Sequence, residues 1–251
     1  MTKLKFGIIG AMDIEIELLA SRMSGLKKIE YINLVFYEGK LCGKKVVIVK
    51  SGIGKVNAAL CCQILIDKFN VTNVINTGIA GGMDKRLRIL DTVVSTECVY
   101  HDADTTFFKD PICTIPEMPT FYKADKNMTS IAMSYKNAEY LTNDEENLTK
   151  NMTENMTGAK YDIYEGRIAS GDQFICTKEG KEKIMTNCNP MCVEMEGCAI
   201  AHVCYVNQIP FVIIRSISDN ADENVTTDYT FNRGSAAQVS ANIVCHILSK
   251  I

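Results

Sequence analysis

The apolar residues of this chain come in short unbroken runs rather than in alternation, and that pattern fixes most of what it can fold into. Val46, Val47, Ile48 and Val49 follow one another, as do Phe211, Val212, Ile213 and Ile214. A strand open to water on one face alternates apolar with polar residues, so these runs read as strands covered on both faces. Comparable runs lie at 4–10, 71–77, 91–95 and 167–170, and the two named runs extend over 45–51 and 210–218. Segments of helical period lie between them. Val56, Ala59, Leu60 and Ile64 share one stripe, and Ala236, Val239, Ile243 and Ile247 share another. The stretch 195–206 is apolar nearly all round and is predicted to be a buried helix. The pattern predicts an α/β fold, a central sheet with helices on both sides.

Domain organisation follows from what is missing between the runs. The prolines are scattered and no Gly/Ser-rich linker divides the 251 residues, so a single domain over 1–251 is expected. Only 141–160, rich in Asn, Thr, Glu and Lys, breaks the pattern, and it is predicted to be a solvated insertion.

Charge and cysteine usage exclude several function classes. Lys plus Arg number 27 against 30 Asp plus Glu, a net charge of -3, which gives no general attraction to nucleic acid or to an anionic membrane. No apolar stretch approaches the ~20 residues that cross a bilayer, and no signal peptide is read, so a cytoplasmic protein is expected. The 11 cysteines are odd in number, include the adjacent Cys61 and Cys62, and show no CxxC spacing. Those in apolar runs, such as Cys98, Cys198 and Cys204, read as small hydrophobes. With three histidines and no Cys/His cluster, neither a metal nor another cofactor is expected.

The chemistry should lie just beyond the ends of the strands, where ligands gather in α/β sheets. Three acids stand there: Glu15 after the run ending at Gly10, Glu196 after 191–194, and Asp219 after 211–217. Carboxyls converging from separate strands can serve as general base and general acid on opposite sides of a bond. On spacing alone, acids at helix starts held there by the helix dipole are the commoner outcome. Glycines cluster at the same edge, at Gly52, Gly54, Gly78, Gly81 and Gly82, yet none forms a P-loop or a Gly-x-Gly-x-x-Gly fingerprint. Phe174 and Tyr229 could stack on a flat ring, although an aromatic near a strand end is more often simply core.

The stretches GIIGAM (7–12), SGIGKVNAA (51–59), NTGIAGG (76–82), YHDAD (100–104), SGDQFI (170–175), VEMEGCAIAHV (193–203) and RSISDNAD (215–222) resemble the 5′-methylthioadenosine/S-adenosylhomocysteine nucleosidases of the nucleoside phosphorylase superfamily. The resemblance holds in order from about Leu4 to the end and omits 141–160. It implies a three-layer α/β/α sandwich around a mixed, twisted sheet, and hydrolysis of the bond between ribose C1′ and adenine N9. Under it Asp219 is the general acid at purine N7, Glu15 takes a proton from the attacking water, and Glu196 holds the ribose hydroxyls. Phe174 stacks on adenine, Ile175 offers backbone groups to its edge, and Met195 packs beneath the sugar. Ser218 orients Asp219, and Arg215 lies near Glu15 and the water. Met12, Ile53 and Tyr229 line a 5′-alkylthio slot that Phe108 and Pro116 of a neighbouring subunit close, which implies a homodimer. One position departs from the family's common NTGSAGG: Ile79 replaces a hydroxyl beside the ribose, so altered affinity or substrate balance is expected rather than loss of activity.

Other readings stay open at this point. A purine nucleoside phosphorylase would need cations for phosphate near the glycine turns, where this chain offers Asn76, Ile79 and Glu15. Between these nucleosides and futalosine or adenosine as the substrate, the 5′ pocket decides. A nucleoside-binding protein without turnover would have no need of Glu15 and Asp219, and both are present.

Overall fold

A computed structural model describes residues 4–135, 161–222 and 225–251 of the chain. The stretch 141–160 lies outside the described residues. Ten strands form one mixed sheet: β1 (Lys5–Gly10), β2 (Ser24–Tyr31), β3 (Leu34–Leu41), β4 (Lys44–Lys50), β5 (Asn73–Gly82), β6 (Thr92–Tyr100), β7 (Tyr122–Lys123), β8 (Ile163–Ser170), β9 (Cys192–Glu194) and β10 (Phe211–Asp219). Six α-helices are described: α1 (Asp13–Ser21), α2 (Lys55–Phe69), α3 (Lys126–Met133), α4 (Lys178–Cys188), α5 (Gly197–Asn207) and α6 (Val225–Lys250).

The fully apolar runs form the middle of the sheet. β1 lies parallel to β4 and β5, and β5 is parallel to β10. Val46 to Val49 and Phe211 to Ile214 are all buried. One face packs on α2 and α5 through Ala58, Cys61, Cys62, Leu65, Cys198, Ile200 and Cys204. The other packs on α1, α3 and α6 through Ile16, Leu19, Met128, Val239, Ile243 and Ile247. The three layers follow, because strands that are apolar on both sides leave water only if helices cover both sides.

One half of the sheet closes on itself. β10 pairs with both β5 and β6, β6 with β8, β8 with β9, and β9 again with β5. Register shifts between Ser95 and Glu97 and between Ile217 and Asp219 bend two of these strands. The hairpin β2–β3 extends the other half antiparallel to β4 and escapes the sequence reading, since most of β2 is exposed and charged.

Two helix faces differ from expectation. In α2 the buried side carries Ala58, Cys61, Cys62, Ile64, Leu65 and Phe69, whereas Val56 and Leu60 of the predicted stripe are exposed. In α5 the expected all-round burial holds for Gly197 to Ala201 and Cys204, but Tyr205 and Val206 face outward. Cysteine is the reason for the first difference: Cys62 and Cys204 meet at 3.7 Å between the two helices, packing as small apolar residues. The α6 stripe is buried as expected.

Ile213 is wholly buried in β10 at the centre of the sheet. Ile213→Ala is expected to cost about 2–5 kcal/mol, read as a lowered midpoint in urea unfolding.

Candidate active site

Strand ends and helix starts bring the three acids together by different routes. Glu15 sits in the first turn of α1, and its Oε2 reaches back to the N–H groups of Ala11 at 2.6 Å and Met12 at 2.9 Å. This is the helix-start role that spacing alone suggested. Its Oε1 does something more, accepting the N–H of Ile79 at 3.2 Å on β5. Gly78 permits the approach, since a Cβ there would lie 2.5 Å from Glu15 Oε1 and 3.3 Å from Arg215 Nη1.

Glu196 arrives from the opposite direction, because β9 runs antiparallel to β5 and crosses only its end, at Gly81 and Gly82. Although Glu196 is the N-cap residue of α5, its side chain does not cap that helix. Glu194 does so, accepting the N–H groups of Glu196 at 3.0 Å and Gly197 at 2.7 Å. The carboxylate of Glu196 is thereby free to face the pocket, where its Oε1 accepts the N–H of Gly54 at 2.9 Å. Asp219 is turned inward by the irregularity at the end of β10, where Ser218 and Asp219 together oppose Gly81. Ser218 Oγ donates to its Oδ2 at 2.8 Å and the Ala221 N–H to its Oδ1 at 2.9 Å.

All three acids are pushed toward the protonated form. Burial raises the pKa of Glu15 against the opposing charge of Arg215 and three N–H donors. Burial and then the charge of Glu194 raise that of Glu196, opposed by Arg215 and the Gly54 N–H. Burial likewise raises Asp219 despite its bonds from Ser218 and Ala221.

Glu15, Glu196 and Asp219 line one pocket together with Met12, Ile53, Ile79, Phe174, Ile175, Met195, Ser218 and Tyr229. Phe174 and Tyr229 meet edge to face, with centroids 5.8 Å apart, and the Tyr229 hydroxyl lies 3.4 Å from Met12 Sδ. Three of the residues named from the resemblance do not line this pocket. Phe108 and Pro116 are exposed and do not line the pocket of their own chain. Arg215, expected near Glu15 and the water, does lie close enough to Glu15 to act on it by charge, but it is fully buried and does not line the pocket. Its guanidinium is taken up by Glu194, by Asn76 Oδ1 at 2.6 Å and by the Ile214 carbonyl at 3.1 Å, and it lies 3.7 Å from Glu196 Oε2. Its charge opposes the rise in the pKa of both Glu15 and Glu196.

The residue that the sequence reading passed over is Glu194. It pairs with Arg215, accepts the Ser170 hydroxyl and caps α5, so it is the fixed point from which Glu196 is held. The Glu-x-Glu spacing was its only signal. Among the described residues lining the pocket there is no lysine or arginine.

The sequence model of the phosphorylase superfamily matches residues 5–249. The 5′-methylthioadenosine/S-adenosylhomocysteine nucleosidase of Halalkalibacterium halodurans is 39% identical over 248 residues, covering 98% of this chain and 99% of that protein. The crystal structure of such a nucleosidase from Colwellia psychrerythraea in complex with adenine superposes with a TM-score of 0.87 at 36% identity, covering 100% of this chain and 98% of that one. The futalosine hydrolase of Helicobacter pylori superposes with a TM-score of 0.84 at 32% identity, covering 99% and 98%.

The raised acids give a stability prediction with a definite sign. Ionising a carboxyl whose native pKa is raised costs the folded state more than the unfolded chain. For Asp219 that cost is absent below its ordinary value of 3.8 and grows as pH rises through the higher native value. Asp219→Asn is therefore expected to raise the melting temperature near neutral pH and to change it little near pH 4. Calorimetric scans at both pH values check this, and a lower melting temperature at neutral pH would contradict it.

Proposed function

Because the chain belongs to the phosphorylase superfamily and, within it, to the 5′-methylthioadenosine/S-adenosylhomocysteine nucleosidases, which are N-glycosyl hydrolases, we propose that it hydrolyses the N-glycosidic bond of these two nucleosides with Asp219, Glu15 and Glu196 as its working groups. The observation that carries the reading is a pocket in which separate buried acids face one space without a lysine or arginine in the described lining. Breaking the bond leaves positive charge on the sugar and negative charge on the purine. Asp219, raised by burial and steadied by Ser218, donates its proton to purine N7. Glu15, anchored by backbone N–H groups from both α1 and β5, receives a proton from the water that attacks C1′.

Glu196 holds the ribose 2′ and 3′ hydroxyls. Two hydroxyl donors favour its ionised form, so substrate binding and its ionisation are linked, and the resulting charge lies beside the developing sugar cation. Phe174 stacks on the base, Ile175 meets its edge through backbone groups, and Met195 lies under the sugar. Met12, Ile53, Ile79 and Tyr229 form the apolar slot for the 5′-alkylthio group. A homodimer in which Phe108 and Pro116 close the neighbour's slot is supported by apolar side chains left exposed in one subunit: Phe107 and Phe108, and on adjacent helices Val56, Leu60, Tyr205 and Val206.

Phosphorolysis is disfavoured on the same electrostatic ground. A phosphate dianion needs cationic partners, and Arg215 is already bound by Glu194. The slot offers nothing that singles out futalosine, and its apolar lining suits a thioether.

With 5′-methylthioadenosine, adenine release is expected without added phosphate and without a sugar 1-phosphate, followed by chromatography of the products. A phosphate requirement would transfer the activity to a phosphorylase. Asp219→Asn and Glu15→Gln are each expected to lower kcat by about 10²–10⁴ while the chain stays folded by circular dichroism.

A further inference from the structure

Helix α2 begins beside Glu196, yet its N-cap is Gly54 and its first turn carries no acid. Its leading donors are met by carboxylates from elsewhere in the chain. The Gly54 N–H goes to Glu196 Oε1 at 2.9 Å, and the Lys55 N–H to Asp172 Oδ1 at 2.8 Å. The Lys55 side chain then turns toward β6, placing Nζ 2.6 Å from Asp102 Oδ2 and 3.7 Å from Asp172 Oδ2. Asp102 Oδ2 also accepts the Asp172 N–H at 2.9 Å. Three residues that follow the ends of β4, β6 and β8 are thus cross-tied, in the SGIGK, YHDAD and SGDQ stretches.

This tie differs from a surface ion pair. The side chains of Lys55 and Asp102 are 25% and 12% exposed, and the ammonium also lies 5.4 Å from the Tyr100 ring centroid. It holds a backbone that would otherwise wander, since Gly54 has φ +100° and ψ 159°, open to glycine and costly for other residues. We infer that Lys55, Asp102 and Asp172 are positioning residues that aim the Gly54 N–H at Glu196 and so set the grip of the site on the ribose hydroxyls. The inference rests on the proposed role of Glu196. None of the three lines the pocket.

The test compares kcat/KM for 5′-methylthioadenosine and its 2′-deoxy counterpart, which lacks one hydroxyl of the pair held by Glu196. Misaiming one hydrogen bond to a charged acceptor corresponds to about a tenfold loss. Lys55→Met and Asp102→Asn are expected to show that loss on the ribonucleoside, chiefly through KM, but at most about a threefold loss on the deoxynucleoside. Lys55→Arg should recover most of it. Asp172→Ala, at a half-exposed side chain, removes one tie without opening the core and should show the same selectivity even if the other variants fold poorly. Equal losses on both substrates, as a merely structural ion pair would give, or no loss on either, would overturn the inference. Wild-type turnover is measured alongside. Its absence would sink the parent reading and the clamp with it, whereas parallel losses in an active enzyme would sink the clamp alone.

Discussion

One guanidinium stands among three buried carboxyl groups, with Asp219 a fourth in the same pocket lining, and the rest of the site is arranged around that imbalance. Arg215 pairs with Glu194, lies 3.7 Å from Glu196 and lowers the pKa of Glu15 by its charge. The remaining negative charge is met by peptide N–H groups: three on Glu15, two on Glu194, and one each on Glu196 and Asp219. Peptide donors supply partial positive charge that cannot swing away to seize an anion. They do not offset burial, and Glu15, Glu196 and Asp219 all remain raised. A pocket left short of positive charge is poorly suited to phosphate and well suited to a sugar acquiring positive charge, which ties the proposed hydrolysis to the electrostatics of the fold.

The backbone supplies those donors because of where its elements start and stop. Helices α1 and α5 begin at the pocket, each with its first N–H groups satisfied by an acid, Glu15 in one and Glu194 in the other. The end of β5 passes between them with Gly78 against Glu15 and Gly81 against Asp219, where a Cβ would lie 3.0 Å from Asp219 Oδ1. Closure of half the sheet into a ring brings β9 across that end from the other direction. An open parallel sheet would have carried Glu196 to the same edge only by a parallel strand. The ring achieves it with a three-residue strand running antiparallel.

What the sequence made legible follows the same logic. Doubly buried strands were readable because four aliphatic residues in succession have one sensible environment, whereas β2, with Lys27, Lys28 and Glu30, has the composition of a loop. The period of α2 was visible but its orientation was not. With Val56 and Leu60 on one stripe and Ala58, Cys61 and Leu65 on another, both sides are apolar, and only tertiary packing decides which is covered. Among the site residues, acids beyond strand ends could be found by position. The division of labour between Glu194 and Glu196 could not, because it depends on which carboxyl the α5 N-terminus and Arg215 capture, a matter of side-chain geometry two residues apart. Phe108 and Pro116 came from resemblance alone, and a single chain leaves both exposed.

Ile79 illustrates how a departure from a family pattern can be absorbed. At this position the common serine offers a hydroxyl, but the structural role visible here belongs to the backbone, whose N–H donates to Glu15 Oε1. Any residue with an N–H retains that bond. The isoleucine side chain is 8% exposed and packs with Ala236 and Ala237, against which Met12 and Tyr229 also lie. The substitution therefore exchanges one polar contact, worth about 1 kcal/mol in net terms, for apolar area on the wall of the proposed 5′ slot. The anchor of the proposed base is untouched, so under the proposed function the consequence falls on which 5′ substituent fits best rather than on whether the glycosidic bond is broken.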